Sequence, residues 1–264
     1  MKEKILSHLP TECPWRDTLY WYPVTDSTNT RAKQLAKEGA PEGTVLIAGN
    51  QTAGRGRMGR TFQSPDGQGV YLSVILRPDC LPAELMHLTC AAGAAMVQAV
   101  EAACAITPQI KWINDLVVGQ KKLGGILTEM SLADGKVDYA VVGIGINCLQ
   151  RAGDFPAEIA DMATSLSIVC GKTVPPERLA AAMVEALWQM AGTLLTEKTQ
   201  WMSRYKANCL TLGKEIQVIR GDTVLFGKAL DMDENGGLLV QYTDGTTQVV
   251  ASGEVSVRGM YGYV

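Results

Sequence analysis

Between residues 54 and 60 the chain places three arginines and three glycines in seven residues, Gly54-Arg55-Gly56-Arg57-Met58-Gly59-Arg60, with Gln51 just ahead of them. Each arginine offers a permanently charged planar fork that suits phosphate or carboxylate, and the glycines let backbone N–H groups come close to a ligand. That combination suits a loop that closes on an anion. Fixing it costs roughly 1–2 kcal/mol per residue in backbone entropy, so the empty loop is expected to move and a charged ligand to order it. Taken alone, the string fits a solvated basic turn equally well.

Four further polar clusters sit where strands or turns end, the places where site residues are usually presented. They are Asp26-Ser27-Thr28-Asn29, Lys111-Trp112-Ile113-Asn114-Asp115, Lys121-Lys122-Leu123-Gly124-Gly125-Ile126-Leu127 and Gly143-Ile144-Gly145-Ile146-Asn147. Singly, the first reads as a helix N-cap, Asn114-Asp115 as a turn pair and Gly143 to Asn147 as a strand end. Lys121 and Lys122 need not both act, since a turn lysine is usually solvated. His87, in an alanine-rich segment, reads as a packing or surface residue, and Met86, Met96, Met183 and Met190 as filler of the core.

The elements that must hold these clusters follow from periodicity. Thr18 to Val24 reads as a strand feeding a helix capped within Thr25 to Thr30 and ended by Gly39-Ala40-Pro41. Thr44 to Ala48 and Val70 to Leu76 read as strands flanking the arginine loop, and Leu85, Leu88, Ala92, Ala95, Met96, Ala99 and Ala103 mark a helix over 83–104. Ile110 to Trp112, Leu116 to Val118, Leu123 to Met130 and Tyr139 to Asn147 are strands joined by tight turns, which implies antiparallel pairing. Two more helices follow, one through Leu179 to Leu194 and one over Trp201 to Cys209. From Lys214 onward, short runs (Ile216 to Ile219, Val224 to Leu230, Gly237 to Tyr242, Thr246 to Val250, Glu254 to Val257) alternate with Gly-Asp, Asn-Gly and Asp-Gly turns, the pattern of a small all-β barrel. The expected domains are 1–212 and 213–264.

With 264 residues and 47% hydrophobic content the chain can bury a sizeable core, and a net charge of −3 makes the arginine loop a local feature of an acidic protein. Its anion is therefore expected to be small. Seven cysteines without a Cys-x-x-Cys pair read as reduced thiols. A charged start and no apolar run approaching the length of a membrane span point to neither signal peptide nor membrane helix, so the expected compartment is the cytoplasm.

In order and spacing, the five clusters resemble the catalytic domain of biotin protein ligases, and the C-terminal strands resemble that family's small last domain. Ala163-Thr164-Ser165-Leu166 is similar to another family string. Two positions depart: Ile113 stands where proline is usual, and Met58 where a basic residue is common. The resemblance implies an α+β fold, a class II synthetase-like, biotin-lipoate ligase-like catalytic domain (a mixed sheet flanked by helices) followed by an SH3-like β-barrel. It implies two steps: biotin and ATP give biotinyl-AMP and pyrophosphate with Mg²⁺, then a lysine of a biotin carboxyl carrier domain takes the biotinyl group. By the same likeness Ser27, Thr28, Asn29 and Gln51 meet the biotin head group, with Arg55, Gly56, Arg57, Lys122 and Gly125 also at biotin. Arg55, Arg57, Arg60, Lys111, Asn114 and Asn147 meet ATP or the adenylate. Lys122, Asp115, Arg57 and Lys111 are the implied catalytic residues, and Asn114 and Asp115 lie near the metal. Bringing a carboxylate up to a phosphate requires cations, which Arg55, Arg57, Arg60, Lys111 and Lys122 supply, while Asp115 can accept the proton of the acceptor lysine or orient its amine.

Three other functions compete with this one. Ligation of lipoate shares the fold, but the arginine-glycine loop favours biotin. RNA binding by such a loop normally uses repeated, disordered arginine-glycine segments. Transcriptional repression needs a DNA-reading head, and the residues ahead of Asp26 are too few for three helices. The expected partners are thus the carrier protein and the two small molecules, without DNA or membrane; a homodimer stays open.

Overall fold

Apolar side chains that alternate with a period of two build the sheet, and the sheet decides where everything else goes. In the computed structural model, which describes residues 1–251 and the backbone of 256–259, seven strands pair in the order β1-β2-β3-β7-β6-β5-β4. They are β1 (Leu19–Thr25), β2 (Val45–Gln51), β3 (Gly69–Leu76), β4 (Gln109–Lys111), β5 (Asp115–Val118), β6 (Lys121–Ala133) and β7 (Lys136–Asn147). β1 and β2 are parallel because a helix intervenes, and all other neighbours are antiparallel.

The helices are α1 (Lys2–His8), α2 (Thr28–Lys37), α3 (Leu88–Cys104), α4 (Leu166–Cys170), α5 (Pro176–Thr193) and α6 (Lys198–Asn208). Even-numbered residues of β7 (Ala140, Val142, Ile144, Ile146) and of β3 (Val70, Leu72, Val74, Leu76) enter the main core beneath α3, α5 and α6. Their odd-numbered neighbours Ile75, Tyr139 and Val141 join Leu46 under Ala32 and Ala36 of α2 in a second, smaller core. Farther along the same odd-numbered face, past the end of α2, the sheet is left open as the floor of a cavity.

The alanines of α3 let it sit close between α5 and α6. The run Pro82–Cys104 is, contrary to the sequence expectation, long and apolar enough to cross a membrane, but 72% of that apolar window is buried inside the protein. It is a core helix. His87 at its head is fully buried, with Nε2 2.9 Å from the carbonyl of Leu194. Burial pushes its imidazole below the usual histidine range. All seven cysteines are free thiols.

The C-terminal strands β8 (Glu215–Arg220), β9 (Thr223–Met232), β10 (Leu238–Tyr242), β11 (Thr247–Val250) and β12 (Ser256–Gly259) form an antiparallel, SH3-like sheet ordered β11-β10-β9-β8-β12. Glu254 and Val255 of the expected last strand lie outside the described residues. Ile216, Val218, Ala229, Met232, Leu238 and Val240 continue the main core, so the two sheets share one apolar interior.

Candidate functional site

Rows of cross-strand neighbours form the floor of the site. One row runs Tyr71, Gly145, Gly125, Asp115 and the next Ser73, Gly143, Leu127. Where the rows need depth, the strand carries glycine. A Cβ at Gly143 would lie 1.8 Å from Oδ1 of Asn29, and one at Gly145 would lie 2.4 Å from the ring of Phe62. Above this floor opens a cavity of about 690 Å³.

One end of the cavity is neutral. Ser27 caps α2 by accepting from the amide of Thr30 (3.5 Å), so the expected N-cap is present and also lines the cavity. The side-chain oxygen of Gln51 accepts from both the amide (2.8 Å) and the hydroxyl (3.0 Å) of Thr28, and its Nε2 donates to Ser64 at 2.9 Å. Ser73 Oγ lies 2.7 Å from both Thr28 Oγ1 and Asn29 Oδ1. Asn29 is thereby oriented: its Nδ2 donates to the Leu127 carbonyl at 3.2 Å and to Glu129 at 3.0 Å. The result is a set of hydroxyls and amides in fixed directions, suited to an uncharged ring with both donors and acceptors.

The other end is cationic. The arginine loop folds back on itself: the Gly56 amide donates to the Arg60 carbonyl (2.7 Å) and the Phe62 amide to the Gly54 carbonyl (2.9 Å). A Cβ at Gly54 would lie 2.3 Å from the carbonyl oxygen of Phe62, so the closure requires glycine. Met58 sits at the exposed tip with φ of 55°. Arg57 reaches across the cavity and donates to Asn114 Oδ1 at 3.1 Å. Burial lowers its pKa and the charge of Asp115 opposes that shift, yet a guanidinium stays charged at neutral pH. Arg55 instead meets Glu129, 3.0 Å from each carboxylate oxygen.

The wall facing the loop is the Lys111 to Asp115 segment, and its backbone is held from behind. The Trp112 amide donates to the Thr211 hydroxyl (2.9 Å), its indole N–H to the Gly236 carbonyl in the SH3-like sheet (2.9 Å), and the Tyr205 hydroxyl to the Ile113 carbonyl (3.1 Å). The Trp112–Ile113 peptide, at the position that departs from the family pattern, is cis. Lys111 is 7% exposed, so a cation lies nearly buried in this wall. Asn114 Nδ2 donates to the Ile126 carbonyl at 3.0 Å. Lys122 Nζ lies 2.7 Å from Asp115 Oδ1. The backbone of Lys122 is clasped by the Ala163-Thr164 string, through its amide to the Met162 carbonyl (2.7 Å) and its carbonyl to the Thr164 amide (2.9 Å).

Of the residues the sequence nominates, Ser27, Thr28, Asn29, Gln51, Arg55, Gly56, Arg57, Arg60, Lys111, Asn114, Asp115, Lys122 and Gly125 all line this cavity. Asn147 does not line it. Its Nδ2 is given to the Thr164 carbonyl at 3.0 Å and its oxygen to Gln150 at 3.2 Å. Phe62, Ile159 and Met162 line the cavity without having been nominated. Neither Ser73 nor Glu129 was nominated, although strand alternation puts both on the cavity face and they orient groups that were. For a divalent metal the candidates remain the Asp115 carboxylate and the Asn114 amide oxygen. Among the described residues no group of three or more His, Cys, Asp or Glu gathers to hold one.

Residues 21–147 match the family described as "Biotin/lipoate A/B protein ligase family", and residues 211–258 match "Biotin protein ligase C terminal domain". The "Bifunctional ligase/repressor BirA" of Bacillus subtilis is 36% identical over 235 residues, covering 89% of this chain and 72% of the relative. The "Biotin--[acetyl-CoA-carboxylase] ligase" of Mycobacterium tuberculosis is 34% identical over 238 residues, covering 88% of this chain and 85% of the relative. Among solved structures, the biotin protein ligase from Aquifex aeolicus in complex with biotin and ATP superposes with a TM-score of 0.77 at 32% identity, covering 91% of this chain and 98% of that one.

Proposed function

Because this chain belongs to the biotin/lipoate A/B protein ligase family, we propose that its cavity carries out the two steps of biotin ligation, each with its own set of residues. It is an enzyme, a biotin ligase that uses ATP. The observation that carries the reading is the cavity's polarity: the hydroxyls and amides of Ser27, Thr28, Asn29 and Gln51 line one part of it, and Arg57 and Lys122 meet Asn114 and Asp115 in another, with Arg55, Arg60 and Lys111 also in the lining. A neutral ureido ring at the first end points its carboxylate toward the second. There the carboxylate oxygen attacks the α-phosphorus of ATP, the bond to pyrophosphate breaks, and biotinyl-AMP forms.

That approach joins two anions, and the surrounding cations lower its barrier. Arg57 spans the cavity from the loop to Asn114. Lys122, paired with Asp115, turns to the negative charge that builds between carboxylate and phosphate. In the second step the carrier lysine amine attacks the acyl carbon, AMP leaves, and the nitrogen loses its proton. A lysine with a pKa of roughly 10.4 arrives protonated, so a nearby carboxylate is needed. Asp115, released from Lys122, is that group. Mg²⁺ prefers one or two carboxylates together with substrate phosphates, a set that Asp115 and Asn114 fit, and it would neutralise phosphate charge. The carrier lysine belongs to a biotin carboxyl carrier domain, and seven free thiols are consistent with a reducing, cytoplasmic setting.

Neither the lipoate nor the RNA reading is favoured. The Bacillus subtilis and Mycobacterium tuberculosis relatives carry the names of biotin ligases or of a ligase/repressor, and the arginine loop closes a cavity between strands. The test is biotin-dependent exchange of labelled pyrophosphate into ATP, run beside lipoate; exchange with lipoate alone would reverse the assignment. For DNA, the acidic balance leads us to expect no site-selective binding. Sub-micromolar selective binding in an anisotropy titration at physiological salt would contradict that.

A further inference from the structure

The two steps of ligation leave unused a carboxylate that bonds two residues of the cavity lining, Asn29 and Arg55. Glu129, on β6, has a side chain that is 22% exposed and meets three donors on two other elements. Lys33 of α2 lies 2.7 Å from Oε1, Asn29 of α2 lies 3.0 Å from Oε2, and Arg55 of the arginine loop lies 3.0 Å from each oxygen. Lys33 and Asn29 alone would suffice to brace α2 against the sheet. Arg55 adds something else, because the backbone bonds that close the 54–62 hairpin run within the loop itself, while Arg57 reaches Asn114 across the cavity. The loop is therefore tied to the body of the protein on both sides of the cavity, and Glu129 is the anchor on one of them.

We propose that Glu129 is a positioning residue that holds the arginine loop over the cavity through Arg55 and so sets how long the adenylate stays bound. Direct contact with the reacting atoms has no part in this. The inference rests on the ligase reading and deepens it. Burial of Glu129 favours its neutral form, but the hydrogen bonds from Lys33 and Asn29 and the charges of Lys33 and Arg55 outweigh that, so the carboxylate stays ionised at neutral pH.

Glu129→Gln keeps the size and an acceptor for Asn29 while removing the charge. Release of preformed biotinyl-AMP should quicken about two- to five-fold, the range an exposed ion pair commands, with single-turnover adenylate formation within about two-fold of the parent. Labelling of unrelated lysines should rise in step. Arg55→Gln should quicken release at least as much, and Glu129→Gln should add nothing further in that background, because the carboxylate acts through the arginine. Lys33→Met, which touches the carboxylate but not the loop, should not quicken release. Unchanged release in Glu129→Gln with intact adenylate formation overturns the proposal, as does an equal acceleration with and without Arg55. Absence of adenylate from the parent chain would instead overturn the ligase reading and the proposal with it.

Discussion

The two sides of the cavity are built on opposite principles. The arginine loop is held from outside itself by Arg55 and Arg57, and Arg55 is 42% exposed on the side chain where it meets Glu129. The facing wall is buried and held by neutral hydrogen bonds: Trp112, which is 5% exposed, donates to the Thr211 hydroxyl and the Gly236 carbonyl, and the Tyr205 hydroxyl donates to the Ile113 carbonyl. Exposed ion pairs are worth about 0.2–1 kcal/mol and weaken with salt. A buried polar group left without its partner costs about 1–3 kcal/mol. The Arg55 tether can therefore yield at a smaller cost than the hydrogen bonds behind the facing wall.

The contrast is broken most strongly at Gly236. This residue has φ of 89°, and a Cβ there would lie 2.7 Å from Cys90 Sγ. Gly236→Val should move the turn away from Trp112, lower stability by about 2–5 kcal/mol in denaturant unfolding, and depress adenylate formation with it. Thr211→Val removes the acceptor for the Trp112 amide and should cost about 1–3 kcal/mol by the same measurement. On the opposite side, Arg55→Gln should change stability by less than about 1 kcal/mol while still quickening adenylate release. A large loss of stability in Arg55→Gln, or none in Thr211→Val, would erase the distinction.

The smallest effect concerns acid. His87, at the head of α3 against the Leu194 carbonyl, is buried, and that burial holds its folded pKa below the unfolded value near 6.5. The unfolded chain thus binds the proton first, and this contribution to stability, full above pH 6.5, declines as pH falls below it. Unfolding followed from pH 7.5 to 5 should show this decline, reduced in His87→Gln.

Much of this was legible in the sequence because strands and long helices announce themselves by period. The odd and even residues of β7 separate into two cores as alternation requires, and Gly143 and Gly145, which lie on the cavity floor, belong to a string that the sequence singled out as a strand end. α4 has only five residues, too few for a helical period to register. Ser73 and Glu129 look like ordinary strand residues, and their importance comes from register, which sets Ser73 opposite Gly143 and Glu129 opposite Val141. Asn147 belonged to the right string, but its amide is turned to Thr164 and Gln150. No local pattern could have joined Trp112 to Gly236.

Those two residues are 124 positions apart, and chains leave the ribosome N-terminus first at roughly 5–20 residues per second. The residues lining the cavity run from Ser27 to Met162, so all of them are made on the order of seconds before the turn that steadies Trp112. A nascent chain can hold the arginine loop and the strand floor while its wall is still unsupported. Activity during synthesis should therefore switch on late. Ribosome-arrested chains whose exposed portion ends before Asp233 should form little biotinyl-AMP, and those exposing Val250 should form it readily; early activity would show that the wall stands without its support.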